Sequence, residues 1–207
     1  MSAIFDWATS DNLQPEPVTV EIWRKLPQDY CRQVEVVNGD IVRAESPNRA
    51  HQKAARRLAD LIEAAALAHV NQYGGCLDVD TDFDVVLWEF PRATIRRPDI
   101  ALFDCAPNDL RPLPAPLVKV AIEVVSPGTE MVDIADKKTE YALAGIPWYW
   151  LVWVADNNVS MIKIFVLDHV LGQYIPHLEL QPADTESTVE LPVRCQIDWS
   201  RLSDLVR

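Results

Sequence analysis

The sequence predicts a mixed α/β domain in which a sheet is flanked by helices within one globular unit. The chain has 207 residues, of which 49% are hydrophobic, so it can bury one large core. Apolar runs rich in β-branched and aromatic residues alternate with stretches of helical periodicity. One unit, residues 118–154, follows a strand–helix–strand pattern, which is typical of a parallel right-handed crossover.

Charge and composition exclude several classes of protein. The net charge of −12 and the pI of about 4.7 argue against nonspecific duplex binding, which depends on phosphate neutralisation by Lys and Arg. A nucleic-acid enzyme remains open, because bound cations and a local basic patch can reverse the field at a site. The N-terminus lacks a basic leader, and the longest uncharged run, 141–155, is too short to span a bilayer. Four separated cysteines without a CxxC pair predict reduced, mostly buried thiols in a cytoplasmic protein.

The N-terminal half contains elements that are bounded by caps and turns. Residues 1–18 are predicted to form an arm, and the domain spans residues 19–207. The predicted elements are a short helix after Thr19, a hairpin turning at Asn38-Gly39, a helix from about Arg49 to His69, an alternating strand within 76–88 and a strand at Ile100–Phe103. In the alternating strand the aspartates at 78, 80, 82 and 84 would share one face, which favours a solvated surface over a cation site.

The C-terminal half is dominated by strands. A strand at Val118–Val125 precedes a turn and a helix at 130–144, which ends at Gly145. The next strand, within 146–154, is apolar on both faces, so its tryptophans are expected to fill the core rather than stack on bases. The remaining predicted elements are a strand at 159–167, short strands near 174–179 and 188–193, and a small helix at 198–206.

The strand at Val118–Val125 contains one carboxylate, Glu123, between apolar neighbours. An ionised carboxylate buried without a partner costs several kcal/mol, so a metal ion, a proton or a cationic side chain is expected beside it. On the following helix, Asp133, Lys137 and Tyr141 recur at i, i+4 and i+8 and share one face. Lys137 is therefore expected to reach Glu123.

Three further residues complete the candidate site. Asp99 follows Pro98 at the start of a strand, which places it at a sheet end. Glu35 lies in the first strand of the hairpin, where a solvent-facing position is an equal alternative. His51 lies in the first turn of the long helix, where the helix dipole favours an anion, although such a histidine is also commonly just solvated. Strand-end carboxylates with a nearby amine suit metal-dependent phosphodiester hydrolysis, because the cation offsets the negative transition state.

Several motifs, taken in order, resemble a known family. They are Pro98-Asp99, Glu123-Val124-Val125-Ser126-Pro127, Asp133-x3-Lys137-x3-Tyr141-x3-Gly145 and Tyr149-Trp150-Leu151-Val152, together with the Glu35 hairpin and His51. This pattern, over roughly residues 19–200, resembles the Uma-two family of restriction-endonuclease-like proteins within the PD-(D/E)xK nuclease superfamily. The resemblance implies a restriction-endonuclease-like fold and a nuclease site that uses Mg²⁺ or Mn²⁺.

Carried over by residue, the resemblance implies that Asp99 and Glu123 are metal ligands. Glu35 would be an auxiliary acid and Lys137 the catalytic amine, with His51, Asp133 and Tyr141 as further auxiliary candidates. One departure stands out, since the superfamily lysine two residues after the second acid is Val125 here.

The resulting hypothesis is a metal-dependent endonuclease that acts on DNA. The alternatives are a non-catalytic nucleic-acid- or protein-binding module that retains the fold, and a hydrolase of small phosphoesters. The resemblance also suggests a homodimer.

Overall fold

The structure is a computed structural model that describes residues 16–44, 47–126, 131–184 and 187–206, with the side chains of residues 131–133 not described. Its helices are α1 (Val20–Lys25), α2 (Gln28–Cys31), α3 (Arg49–Tyr73) and α4 (Met131–Leu143), with a 3-10 turn at Ala115–Leu117. Its strands are β1 (Val34–Val37), β2 (Asp40–Arg43), β3 (Leu77–Thr81), β4 (Val85–Trp88), β5 (Thr94–Arg96), β6 (Ile100–Asp104), β7 (Leu113–Pro114), β8 (Val118–Val125), β9 (Trp148–Ala155), β10 (Asn158–Asp168), β11 (Gln173–Leu180), β12 (Thr188–Val189) and β13 (Cys195–Gln196).

Within the described residues the strands form two main sheets. A six-stranded sheet has the order β11-β10-β9-β8-β6-β3, and a five-stranded sheet has the order β2-β1-β5-β4-β7. In the larger sheet β8 and β9 are parallel and are connected through α4, whereas the other pairs are antiparallel. The strands β12 and β13 form a separate pair. The predicted mixed α/β fold in a single domain is confirmed.

The core lies on both faces of the six-stranded sheet. Helix α3 covers one face, where Trp150 and Val152 of β9 are buried against it. Tyr149 and Leu151, which alternate with them, are buried on the opposite face together with Ile134 of α4. The predicted strand with two apolar faces is therefore confirmed, because alternate residues of a strand point to opposite faces.

Local sequence signals set the ends of the helices. The Thr19 hydroxyl accepts a hydrogen bond from the Ile22 N–H at 3.3 Å and caps α1. The Asn48 side chain accepts from the His51 N–H at 3.0 Å and caps α3. Helix α3 continues to Tyr73 instead of ending at His69, and stops where Gly74 adopts a φ of +81°.

No helix among the described residues is long and apolar enough to cross a membrane.

The predicted acidic face is wrong. Strand β3 ends at Thr81, and Asp82 adopts a φ of +53°, so the alternation of sides does not continue from Asp80 to Asp84. Asp78 is exposed, whereas Asp84 is buried and ion-paired with arginines.

The predicted terminal helix at 198–206 is also wrong, since these residues form turns. They are held against the β9–β10 hairpin, where the Val159 N–H donates to the Leu202 carbonyl and the Leu205 N–H to the Asn157 carbonyl. Both leucines are buried in the core by these contacts.

The expectation of four reduced cysteines is wrong for two of them. Cys76 and Cys105 form a disulfide, whereas Cys31 and Cys195 are buried free thiols. The disulfide follows from the register of the antiparallel pair β3–β6, in which Leu77 lies opposite Asp104. The flanking residues 76 and 105 therefore face each other, which the separation of 29 residues in sequence does not reveal.

Candidate active site

The predicted acids and the lysine line one cavity of about 420 Å³ between the two sheets and the helices α3 and α4. Asp99, Glu123, Glu35 and Lys137 all contribute to its wall, as do His51 and Val124. Further charged residues in the wall are Asp82, Arg32 and Arg97. Tyr141 is buried behind the wall, and the side chain of Asp133 lies outside the described residues.

Asp99 and Glu123 are neighbours because of strand register. Ile100 of β6 pairs with Ile122 of β8 in antiparallel sense, so the residue before Ile100 lies beside the residue after Ile122. The Asp99 carboxylate accepts a hydrogen bond from the Val124 N–H at 2.6 Å. This bond ties the start of β6 to the end of β8 and directs Asp99 towards the cavity.

His51 holds the other oxygen of Asp99. The distance from His51 Nε2 to Asp99 Oδ1 is 2.8 Å, and because a carboxylate only accepts, Nε2 carries the proton of this bond. His51 Nδ1 lies 3.5 Å from the Ser126 hydroxyl. The predicted first-turn histidine is therefore buried against the strand ends rather than solvated.

Glu123 is 3% exposed and is contacted from α4. The Tyr141 hydroxyl donates to Glu123 Oε1 at 2.7 Å, and Lys137 Nζ lies 3.4 Å from Oε2. Burial raises the pKa of Glu123 to about 8; Lys137 and the Tyr141 hydrogen bond oppose this increase, and the nearby charges of Asp99 and Glu35 add to it. Burial, followed by the charge of Glu123, also raises the pKa of Tyr141, which therefore remains a phenol.

Glu35 is buried, so the alternative of a solvent-facing position is wrong. Arg96 donates to one oxygen of Glu35 at 2.7 Å, and the Arg97 N–H donates to the other at 2.9 Å. Lys137 Nζ lies 3.8 Å from Glu35, so the ammonium stands between Glu35 and Glu123. Lys137 is thus held by two carboxylates that come from different sheets.

Sequence reasoning missed the arginines that support these acids. Arg96 also binds Glu140 of α4 through two hydrogen bonds of 2.6 and 3.1 Å. Burial lowers the pKa of Arg96, but the hydrogen bonds that it donates to Glu140 and the charge of Glu35 outweigh burial and raise the pKa overall. The available signal was the Arg96-Arg97 pair directly before Pro98-Asp99, since two adjacent charges beside a buried strand end require partners.

Asp99 and Glu123 are the two carboxylates of the cavity that could together hold a divalent cation. Burial and the charge of Asp99 disfavour the ionised form of Glu123, and a cation held by these two residues would offset that cost. Within the described ranges, no three His, Cys, Asp or Glu side chains are placed to hold a metal ion together. Mg²⁺ commonly takes one or two carboxylates and completes its shell with waters and substrate phosphate. The donor set is therefore consistent with that ion.

The fold and the cavity define a mixed α/β domain in which acids from neighbouring strand ends meet. The family model of Uma2, described as "Putative restriction endonuclease", matches residues 21–199, and the chain belongs to this family. A solved structure described as a "putative nuclease belonging to DUF820 from Anabaena variabilis ATCC 29413" shares the fold, with a TM-score of 0.58 and 14% identity over 85% of this chain and 90% of that one. No curated protein matches the chain.

Proposed function

We propose that this protein is an endonuclease that hydrolyses DNA phosphodiester bonds with Mg²⁺ or Mn²⁺. The observation that carries the proposal is the meeting of Asp99, Glu123 and Lys137, from three distant segments, in one cavity. Membership of the Uma2 family supports a nuclease-like activity. The choice of DNA rests on the description of that family, and the choice of the metal rests on the chemistry of the two carboxylates.

In this proposal Asp99 and Glu123 would hold the cation, which would supply Lewis-acid charge to the scissile phosphate. His51 and the Val124 N–H orient Asp99, and Tyr141 orients Glu123, so both carboxylates are fixed before the substrate arrives. Lys137 orients the attacking water or balances the charge that develops on the phosphate.

Glu35 has a separate role in this scheme. Together with Glu123 it fixes the position of the Lys137 side chain, whose Nζ lies 3.8 Å from Glu35 and 3.4 Å from Glu123. Arg96 neutralises the remaining charge of Glu35 and anchors it to α4 through Glu140. Burial raises the pKa of Glu123, so a cation held there would favour the ionised carboxylate and the release of its proton.

The test is a nicking assay on supercoiled DNA with Mg²⁺, with Mn²⁺ and with EDTA. We expect cleavage only with the cation, and its loss in Asp99→Asn and Glu123→Gln. Asp78→Asn, an exposed aspartate of β3, serves as the matched control and should retain cleavage. Cleavage that persists in both site variants would refute the assignment.

A thermal-shift titration separates metal binding from chemistry. Excess cation at about 100 times its Kd should stabilise the wild type by about 2.7 kcal/mol. Lys137→Met should keep this stabilisation but lose cleavage, since the lysine is not a ligand in the proposal. A wild-type Tm that neither cation changes would favour a non-catalytic module. Hydrolysis of mononucleotide esters with DNA left intact would favour a hydrolase of small phosphoesters.

A further inference from the structure

A second cavity of about 430 Å³ lies between α1 and the segment 107–111. Its wall combines apolar side chains with two guanidinium groups and one carboxylate. The lining residues are Trp23, Leu26, Pro107, Leu110, Arg24, Arg111 and Asp109. Neither the acids nor the lysine of the candidate active site contribute to it.

One buried carboxylate connects this cavity to the candidate active site. Asp84 Oδ1 accepts from Arg97, whose Nε lies at 2.8 Å and which lines the first cavity. Asp84 Oδ2 accepts from Arg111 at 2.8 and 3.0 Å and from the Trp23 indole N–H at 3.2 Å. The guanidinium groups of Arg97 and Arg111 therefore bind different oxygens of the same carboxylate. Arg97 lines the candidate active site, and Arg111 lines the second cavity.

The charges of this cluster do not cancel. Asp84 carries one negative charge against the two positive charges of Arg97 and Arg111. Arg24 adds a third positive charge beside Arg111, since its Nε donates a hydrogen bond to the Arg111 carbonyl at 3.2 Å. Its side chain is exposed. Asp109 in the same wall offsets one of these charges. Among these five side chains one net positive charge remains, in a chain whose net charge is −12.

The geometry suits a phosphate group. Arg111 is 29% exposed although Asp84 fixes its guanidinium, so part of the fork is oriented in advance and still open to solvent. Arginine forks bind phosphate through paired charge-assisted hydrogen bonds. In nucleic-acid complexes such contacts position the strand and carry no sequence information.

We propose that this cavity is a subsite for the phosphodiester backbone of the strand whose scissile bond lies in the candidate active site. Arg24 and Arg111 contact a backbone phosphate other than the scissile one at Asp99. Arg97 lies between the two cavities and is connected to Arg111 through Asp84. The inference deepens the proposed function and rests on it for the identity of the strand.

The test is binding of a labelled oligonucleotide, single-stranded and duplex, by fluorescence anisotropy over a series of salt concentrations with Mg²⁺ present. All proteins carry Lys137→Met so that the strand stays uncut. Arg24→Gln and Arg111→Gln are compared with Arg194→Gln, an exposed arginine that pairs with Glu190. Because Arg111 supports a buried carboxylate, the exposed Arg24 provides the variant that is expected to fold unchanged.

We expect each cavity variant to weaken binding roughly tenfold at low salt, as the loss of one charge-assisted hydrogen bond implies. The slope of log K against log[salt] should become shallower by about 0.7 for a single strand or about 0.9 for a duplex. Arg194→Gln should change neither quantity. Unchanged affinity and slope in both cavity variants would overturn the subsite and leave a structural ion-pair network.

Cleavage by the otherwise unmodified chain separates the two proposals. Cleavage together with arginine-independent binding would overturn the subsite and keep the nuclease. Arginine-dependent binding without cleavage would support the subsite and overturn the nuclease. Absence of binding to both oligonucleotides would overturn the subsite.

Discussion

Glu123→Gln tests whether the centre of the site holds a proton in the metal-free protein. The pKa of Glu123 is raised from 4.5 to about 8, mainly by burial, so the folded state retains a proton that the unfolded state loses. Its contribution to the free energy of unfolding is therefore complete below about pH 4.5 and is lost as the pH rises to about 8. Each tenfold change in proton affinity is worth about 1.4 kcal/mol, so the loss is on the order of a few kcal/mol.

Gln resembles the protonated acid in shape and can still accept the Tyr141 hydrogen bond. The variant should therefore match the wild type near pH 5 and become relatively more stable as the pH approaches 8.5. The measurement is urea unfolding in EDTA at several pH values, with Glu190→Gln, an exposed carboxylate, as the control. The free energy of unfolding of each protein is compared across pH. A difference between wild type and Glu123→Gln that stays constant within about 0.5 kcal/mol, the usual accuracy of such comparisons, would refute the raised pKa.

Two further predictions concern stability. Asp84→Asn leaves two arginines without their buried anion, so urea unfolding should show a loss of about 3–5 kcal/mol, against less than about 0.5 kcal/mol for Asp78→Asn. Equal effects of the two variants would contradict the ion-pair network. Reduction of the disulfide opens a loop with a sequence separation of 29 residues, which should cost about 3–4 kcal/mol and lower the Tm by roughly 10 °C. The Tm of the wild type in dithiothreitol should then equal that of the double variant Cys76→Ser/Cys105→Ser. A wild-type Tm that dithiothreitol does not change would contradict the Cys76–Cys105 disulfide.

Much of the secondary structure was predictable because its signals are local. Thr19, Asn48 and Gly145 set helix ends through backbone groups within a few residues, and Asn38-Gly39 sets the hairpin turn. The errors lie where long-range contacts decide. The 198–206 segment forms turns because its leucines dock against the β9–β10 hairpin.

The candidate site divides in the same way. A carboxylate within an apolar strand signals a buried charge, so Glu123 and its helical partners Lys137 and Tyr141 could be paired from spacing alone. The resemblance to the family added the roles of Asp99 and Glu35. The Arg96–Glu140 and Arg97–Asp84 pairs join residues 44 and 13 positions apart, and no spacing rule connects them.

The sequence by itself determined the fold class, the helix caps and the set of acids with a lysine, because periodicity, turn chemistry and the cost of burying charge all act over short stretches. Only the tertiary structure decided that the antiparallel register of β6 and β8 places Asp99 beside Glu123, and that Cys76 meets Cys105. It also decided that one aspartate joins two arginine-lined cavities. These pairings depend on how strands and sheets align in space, where contacts between distant residues override local preference.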